Sequence, residues 1–352
     1  MMAAVGLKTH LWNNGLRSLL LLAGFPLLLL LVAYAVALLL AAGEAGSIGE
    51  GLADAARRLP LLAALSAAAA LAWFAVAWFW NVRLVGAMTG ARMVDRRAAP
   101  ELHAALETLC ISRGLPTPRL GIIETAARNA YAAGVRPGQY TIVVTRGLLD
   151  ALEPAEVEAV LAHELSHIRH GDVRMLMVAT VFVGILSLLA DLIGRGGRYV
   201  RIGGGGRRAG GERKGNAGAA LVLVLVAVAC IVLARVLAVA VRLALSRARE
   251  FMADAGAVEL THNPDALIAA LRKIEGRSAM PGVPADLHAL LIDDPPRPGV
   301  FARLTATHPS VADRIAALVA FAGGRDPGPM AAEPPDGSGS AGRDAAMVPG
   351  LR

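Results

Sequence analysis

The chain has 352 residues, of which 55% are hydrophobic and only 18% charged, with a mean hydropathy of +0.54. A soluble globular domain carries about 25% charged residues, so this composition excludes a wholly soluble chain and predicts a membrane protein with a soluble part. Two cysteines exclude a disulfide scaffold or a cysteine-rich zinc module, and a net charge of +7 with only 4% aromatic residues favours anionic lipid over nucleic acid as partner.

Four apolar runs predict about four transmembrane helices, over residues 18–42, 60–80, 175–193 and 217–245. The first run has no charge and exceeds the ~7–15 apolar residues of a signal peptide, so it is expected to stay as a span. Aromatic residues gather at the end of the second, as they do at membrane interfaces. The last two runs would also suit buried helices of a soluble domain, although their length and low charge favour the membrane.

These runs divide the chain into five parts. We expect two membrane helices in 1–80, the first half of a soluble domain in 81–174, and a membrane hairpin in 175–245 with a basic glycine-rich loop at 194–218. The second half of the domain would follow in 246–322, and a disordered tail rich in Pro, Gly and Ser in 323–352.

Within the soluble parts, the pattern predicts a helix over 99–113, strands over 119–124 and 140–145, and helices from 146 to 171. Asn263-Pro264 and Pro309 are the expected starts of two further helices, because proline fits the first turn of a helix.

The sequence His163-Glu164-Leu165-Ser166-His167 lies in a helix predicted over 154–170. Residues i and i+4 share a helix face, so the two histidines can bind one zinc ion while Glu164 reaches a water on it. Random placement of the histidines and glutamates would give roughly 0.007 such matches in this chain. The alternative is a surface helix with two solvated histidines.

A catalytic zinc takes three protein ligands and keeps one position open. His170 shares the face of the motif histidines, but it lies about 10.5 Å along the axis from His163, too far to share one ion on a regular helix. Glu250 is the better candidate, because it and Asp254 stand at i, i+4 spacing just after the fourth run. On spacing alone, an ion pair of Glu250 with Arg247 is an equal alternative.

Three motifs occur in a fixed order: A-H-E-L-S-H followed by G-D, then S-R-A-R-E-F-M-A-D, then T-H-P-S-x-x-x-R-I. Together they resemble the HtpX-type membrane zinc metallopeptidases, bacterial relatives of the CaaX prenyl proteases, over about 81–321. The resemblance implies an α+β, gluzincin-like protease domain with a small sheet, in a protein that is mainly α. It implies one zinc ion per subunit, held by His163, His167 and Glu250, with Glu164 as the catalytic base.

The resemblance also implies roles around the metal. Asp254 and Asp172 would not bind the metal but would orient the ligand histidines. His308 would stabilise the oxyanion, unless it is only an exposed histidine at a helix start. A substrate-binding edge strand is implied where the family has an N-A-F-type sequence, and the residues at that place are Asn129, Ala130 and Tyr131. An exposed edge can bind an extended peptide by adding it as a strand.

These observations predict a membrane-integrated zinc endopeptidase. The resemblance implies that it degrades damaged or misfolded membrane proteins, or unfolded polypeptides, at the bacterial inner membrane, with its site facing the cytoplasm. Flanking Lys and Arg favour that side only slightly. One alternative is a CaaX-type processing protease, which four rather than seven apolar runs disfavour. Another is a non-catalytic zinc-binding scaffold, which would not need Glu164. No nucleic-acid partner is expected, and the oligomeric state stays open.

The order of the motifs has a topological consequence. His163 and His167 precede the third apolar run, whereas Glu250 follows the fourth. If all three bind one zinc ion, the chain between them crosses the membrane an even number of times.

Overall fold

The structure, a computed structural model, describes residues 28–177, 217–244, 247–293 and 308–329. Most of the third apolar run, nearly all of the glycine-rich loop and the tail after residue 329 lie outside these residues. In chain order the elements are α1 (Leu28–Ala42), α2 (Ile48–Thr89), β1 (Arg92–Val94), α3 (Pro100–Ile111), β2 (Arg119–Ile123), β3 (Ala130–Ala133), β4 (Thr141–Thr145), α4 (Arg146–Ala151), α5 (Pro154–Arg169), α6 (Ala217–Ala244), α7 (Arg247–Thr261), α8 (Pro264–Ile274), a 3-10 turn (Ala285–Leu290) and α9 (Val311–Ala322). Residues 172–177 are also helical.

The apolar part consists of α1, α2 and α6, which pack through small side chains. Their buried contact includes Ala41, Ala55 and Leu223, and a Cβ placed on Gly51 would collide with Leu223. α2 is one continuous helix of 42 residues, about 63 Å long, so the second apolar run is only its middle.

Within the described residues, one helical stretch has the length and hydropathy of a membrane span, Ala217–Ala234, and Leu28–Ala42 is apolar but shorter. The prediction of a mainly helical protein with a small sheet is confirmed, whereas the number of four spans stays a prediction.

The sheet is small and mixed, with strand order β1-β2-β4-β3. β2 and β4 run parallel in the centre, with Leu120 opposite Ile142, and they match the two strands that the sequence predicts. β1 and β3 pair antiparallel on the two edges. β4 is buried along its whole length, because helices cover the sheet.

The core of the domain lies between this sheet and the helices α5, α7, α8 and α9. Asn263 caps α8, where its side chain accepts a hydrogen bond from the N–H of Ala266 at 3.1 Å, as the sequence predicts. α9 begins two residues later than expected, at Val311, because the Ser310 hydroxyl rather than Pro309 caps it.

The start of the tail differs from the prediction of disorder after residue 322. Residues 323–329 run along α8, where Asp326 accepts two hydrogen bonds from Arg272, at 2.6 and 3.0 Å. The Asp265 carboxylate accepts a further bond from the backbone N–H of Arg325 at 2.7 Å. These contacts order residues 323–329, for which the Pro- and Gly-rich composition predicts disorder.

Candidate metal centre and active site

α5 presents the H-E-x-x-H motif to the interior of the domain. A proline opens the helix, and the Glu156 carboxylate accepts a hydrogen bond from the backbone N–H of Glu153 at 2.7 Å, which satisfies one free donor of the first turn. The helix packs against β3, α7 and α8. As a result His163, Glu164 and His167 are buried, with exposed fractions of 0%, 2% and 7%.

The motif histidines and Glu250 converge on one point. The Nε2 atoms of His163 and His167 lie 3.1 Å apart. Glu250, in the first turn of α7, places Oε2 at 3.6 Å from the Nε2 of His163 and Oε1 at 3.7 Å from that of His167. One donor atom from each of the three residues lies within 4.8 Å of the others. Glu250 therefore points at the histidines; the side chain of Arg247, its alternative partner, lies outside the described residues.

This donor set fits zinc. Two nitrogen ligands at ~2.1 Å from a tetrahedral ion lie about 3.4 Å apart, close to the observed separation of the two Nε2 atoms. Moreover, the buried Oε2 of Glu250 has no hydrogen-bond partner among the residues that the structure describes. A buried carboxylate oxygen without a donor is costly, and a cation between it and the histidines would satisfy it.

Each motif histidine meets a carboxylate on its other ring nitrogen. His163 Nδ1 lies 2.9 Å from Asp254 Oδ1, and His167 Nδ1 lies 3.2 Å from Asp172 Oδ2. A carboxylate there keeps the N–H on Nδ1 and leaves Nε2 free to bind a metal. The structure thus brings Asp254 and Asp172 to the positions that the resemblance implies.

Arg314 is the residue that the sequence reasoning missed. It lies on α9, is 1% exposed, and donates from Nε and Nη2 to the two oxygens of Asp254 at 2.9 and 2.6 Å. Its Nη1 donates to the carbonyl of Ile292 at 2.8 Å and lies 3.6 Å from Glu250 Oε2. The signal was present, since the arginine ends the T-H-P-S-x-x-x-R pattern, but spacing alone does not separate a buried arginine from an exposed one.

Burial and charge shift the pKa values of the site in opposite directions. Burial alone would lower the pKa of His163, but the carboxylates of Asp254 and Glu250 beside it outweigh burial and raise that pKa to about 9. Burial raises the pKa of Glu164, only partly offset by the two histidines. For Glu250, burial is outweighed by His308, His167 and His163, which hold its pKa well below the ordinary value. Glu164 is thus the carboxylate of the pair with the higher proton affinity.

His308 lies inside the site, where the sequence placed it. Its Nδ1 is 3.3 Å from Glu250 Oε1, and its Nε2 donates to the carbonyl of His288 at 3.3 Å. Its ring is buried rather than exposed at a helix start. His308 therefore lies beside Glu250, and its oxyanion role stays a prediction.

The strand implied to bind substrate is at the edge of the sheet, but its first residues are covered by the chain itself. The backbone N–H of Ile292 donates to the carbonyl of Ala130 at 2.9 Å, and Leu291 forms a bridge with Tyr131. Asn129 is fully buried, and its amide bonds the carbonyls of Ser278 and Asp293 at 2.9 and 3.0 Å.

The side chain of Tyr131 is equally occupied, with its hydroxyl 2.8 Å from Thr89 Oγ1. Burial raises the pKa of this phenol to about 12. Asn129, Ala130 and Tyr131 are therefore buried and bonded within the domain rather than exposed, and their role in binding a peptide stays a prediction. Ala132, next in the strand, does line the cavity beside Glu164.

Two imidazoles and a carboxylate around one point, with a second glutamate beside them, are the groups that metallopeptidases use to hydrolyse peptide bonds. The protein is accordingly a zinc metallopeptidase by class. Residues 96–322 match Peptidase family M48, and the chain belongs to this family.

Two relatives place the chain more finely. It is 39% identical over 260 residues to a protease HtpX homolog of Bacteroides fragilis strain YCH46, covering 71% of this chain and 78% of that protein. It is 37% identical over 241 residues to a protease HtpX homolog of Streptococcus pneumoniae strain R6, covering 68% and 80%. The resemblance to HtpX-type enzymes is confirmed, and the chain is a membrane zinc metalloprotease of this type.

Among solved structures, the crystal structure of S. mikatae Ste24p is similar at 20% identity with a TM-score of 0.40. The match covers 70% of this chain and 58% of the Ste24p chain.

Proposed function

We propose that His163, His167 and Glu250 hold a single zinc ion and that Glu164 is the general base of peptide-bond hydrolysis. The observation that carries this proposal is the convergence of three buried donors within 4.8 Å at a cavity that Glu164 also lines. Zinc, when bound there, supplies a Lewis acid that polarises the peptide carbonyl and makes water more acidic.

Glu164 accepts the proton of the attacking water on its carboxylate and then donates it to the leaving amine nitrogen. Its burial supports this role, because a carboxylate in an apolar environment holds a proton more tightly than one in water. Asp254 and Asp172 hold the N–H of His163 and His167 on the nitrogens that face away from the site.

The substrate lies along β3 as an extended strand that meets the edge from Ala132 onward. Residues 130–131 of that edge are paired with 291–292 of the same chain, so the peptide is expected to begin where this pairing ends. This register brings its backbone beside Glu164, which lines the same cavity as Ala132.

The domain stands on about four membrane helices at the bacterial inner membrane, with the site in the cytoplasm, and it removes damaged or misfolded membrane proteins. The continuous α2 and the apolar α6 support the membrane part. The contact of Arg169 with Glu259 at 3.0 Å supports an even number of crossings between them.

The topology is tested by cysteine labelling. Single cysteines at Arg169 and Glu259, in a background without Cys110 and Cys230, are expected to react from the same membrane face, and from the cytoplasmic one. Labelling of the two positions from opposite faces would contradict both the shared metal site and the hairpin.

Activity is tested on detergent-purified protein by measuring zinc content together with casein cleavage. We expect about one zinc ion per chain, loss of cleavage with a chelator, and recovery when zinc is restored. The Glu164→Gln variant, prepared identically, controls for a contaminating protease. Zinc-loaded protein that cleaves no polypeptide would favour the scaffold alternative instead.

A further inference from the structure

Two aromatic rings at the end of the second apolar run are each contacted by an arginine from another part of the chain. The guanidinium of Arg136 lies 5.8 Å from the centre of the Phe79 ring, and that of Arg174 lies 6.0 Å from the centre of the Trp78 ring. Both distances are within the range of cation–π contacts. Because aromatic residues at the end of an apolar run mark the membrane interface, the two arginines lie where the sequence predicts the edge of the bilayer.

The turn between β3 and β4 and the residues before the third apolar run meet α2 at this level. The turn packs on the helix through Gln139, whose side-chain amide donates to the carbonyl of Trp78 at 3.3 Å. Arg174 lies beside the same turn, since burial raises the pKa of Tyr140 and the charge of Arg174 offsets part of that rise. Arg136 and Arg174 are therefore brought to the same end of the predicted membrane segments by different parts of the fold.

The surface at this level carries only positive charge. No aspartate or glutamate occurs in the three stretches of chain that meet here, residues 78–94, 134–140 and 173–177. Arg83 follows Phe79 by one helical turn and is exposed, as are Arg136 and Arg174. Within the part of the chain that the structure describes, none of these three arginines is paired with a carboxylate. A positive surface without such internal partners attracts anions.

We propose that Arg136 and Arg174 bind the phosphate of an anionic phospholipid at the membrane interface, beside the rings of Phe79 and Trp78. A guanidinium that contacts a ring through its face keeps its in-plane N–H groups free to donate to phosphate oxygens. Basic residues next to a membrane segment are attracted to anionic headgroups, and interfacial aromatic rings lie at the depth of those headgroups. The inference rests on the membrane arrangement proposed above and is independent of the metal site.

Lipid binding is measured on the detergent-purified full-length protein by native mass spectrometry. The protein is titrated with phosphatidylglycerol or with phosphatidylcholine of the same acyl chains, and we expect the wild type to bind phosphatidylglycerol more tightly. One basic residue near an anionic membrane surface contributes about 1 kcal/mol, or about fivefold in Kd. Arg136→Gln and Arg174→Gln should therefore each weaken phosphatidylglycerol binding about fivefold, and the double variant about 25-fold if the two effects add.

Two further variants separate the site from the net charge of the protein. Arg325→Gln removes one exposed arginine from the segment that runs along α8, outside the basic surface, and should leave the Kd of phosphatidylglycerol unchanged. The double variant Arg136→Lys with Arg174→Lys keeps both charges and should retain most of the preference for phosphatidylglycerol, because lysine also binds phosphate as a point charge.

Three results would overturn the lipid site. The first is a wild type that binds the two lipids equally, and the second is a pair of glutamine variants that bind phosphatidylglycerol as Arg325→Gln does. The third is a loss in the double lysine variant as large as that in the double glutamine variant, since charge would then not be the cause. None of these results bears on the membrane arrangement, which the cysteine labelling at Arg169 and Glu259 tests separately.

Discussion

Replacing Arg314 by lysine should weaken zinc binding without removing a proposed zinc ligand. The guanidinium uses all three nitrogens, two on the carboxylate of Asp254 and one on the carbonyl of Ile292. The lysine ammonium is a single compact charge and cannot make these three hydrogen bonds at once. Asp254 would keep a cation nearby but lose one of two short bonds, and its hold on His163 would weaken.

The expected magnitude follows from these contacts. A hydrogen bond to a charged group contributes about 1.5–3 kcal/mol to stability. Groups that orient a metal-binding histidine typically change metal affinity by about 10–100-fold when altered, or about 1.4–2.8 kcal/mol. We expect Arg314→Lys to lower zinc affinity within this range.

The assay is competition for zinc with a chelator, applied to Arg314→Lys, Asp254→Asn and the double variant. If Arg314 acts through Asp254, the double variant loses less than the sum of the two single losses, with an interaction energy of about 0.5–3 kcal/mol. Strictly additive losses would refute this reasoning. Arg272→Lys is the control. Arg272, on α8 and outside the metal site, likewise donates from Nε and Nη2 to the two oxygens of a carboxylate, that of Asp326. This variant should leave zinc affinity unchanged.

Three further predictions test single groups. Glu164→Gln should lower peptide cleavage by at least about 10²–10⁴-fold while zinc stays bound, and near-normal cleavage by the zinc-loaded variant would remove Glu164 as the base. Glu250→Ala should be inactive and carry markedly less zinc than Glu164→Gln on metal analysis, because two histidines alone hold zinc weakly; equal zinc contents would point to another third ligand. Tyr131→Phe removes only the bond to Thr89 and should lower the free energy of unfolding by about 0.5–1.5 kcal/mol with KM unchanged. A rise in KM in this variant would return Tyr131 to the substrate site.

The central strands could be predicted from sequence, whereas the edge strands could not. β4 carries Ile142, Val143 and Val144 in a row, residues that favour strands by themselves. β3 has the sequence Ala-Tyr-Ala-Ala and β1 has three residues, so neither has a local pattern strong enough to be recognised. Pairing with β4 and β2 makes them strands, and that pairing depends on tertiary contacts.

In the active site, the residues that could be predicted from sequence alone lie close together in the sequence. His163, Glu164 and His167 follow from one helical turn, whereas Glu250 needed the resemblance because it lies on another helix. The covered edge of β3 was beyond sequence reasoning, since Asn129 meets Ile292 from 163 positions away.

The site lies where the apolar part of the chain meets the domain. Glu250 follows the end of α6 by six residues in the sequence, and Leu176 lies where the chain enters the third apolar run. Residues from both sides of the predicted hairpin therefore line one cavity.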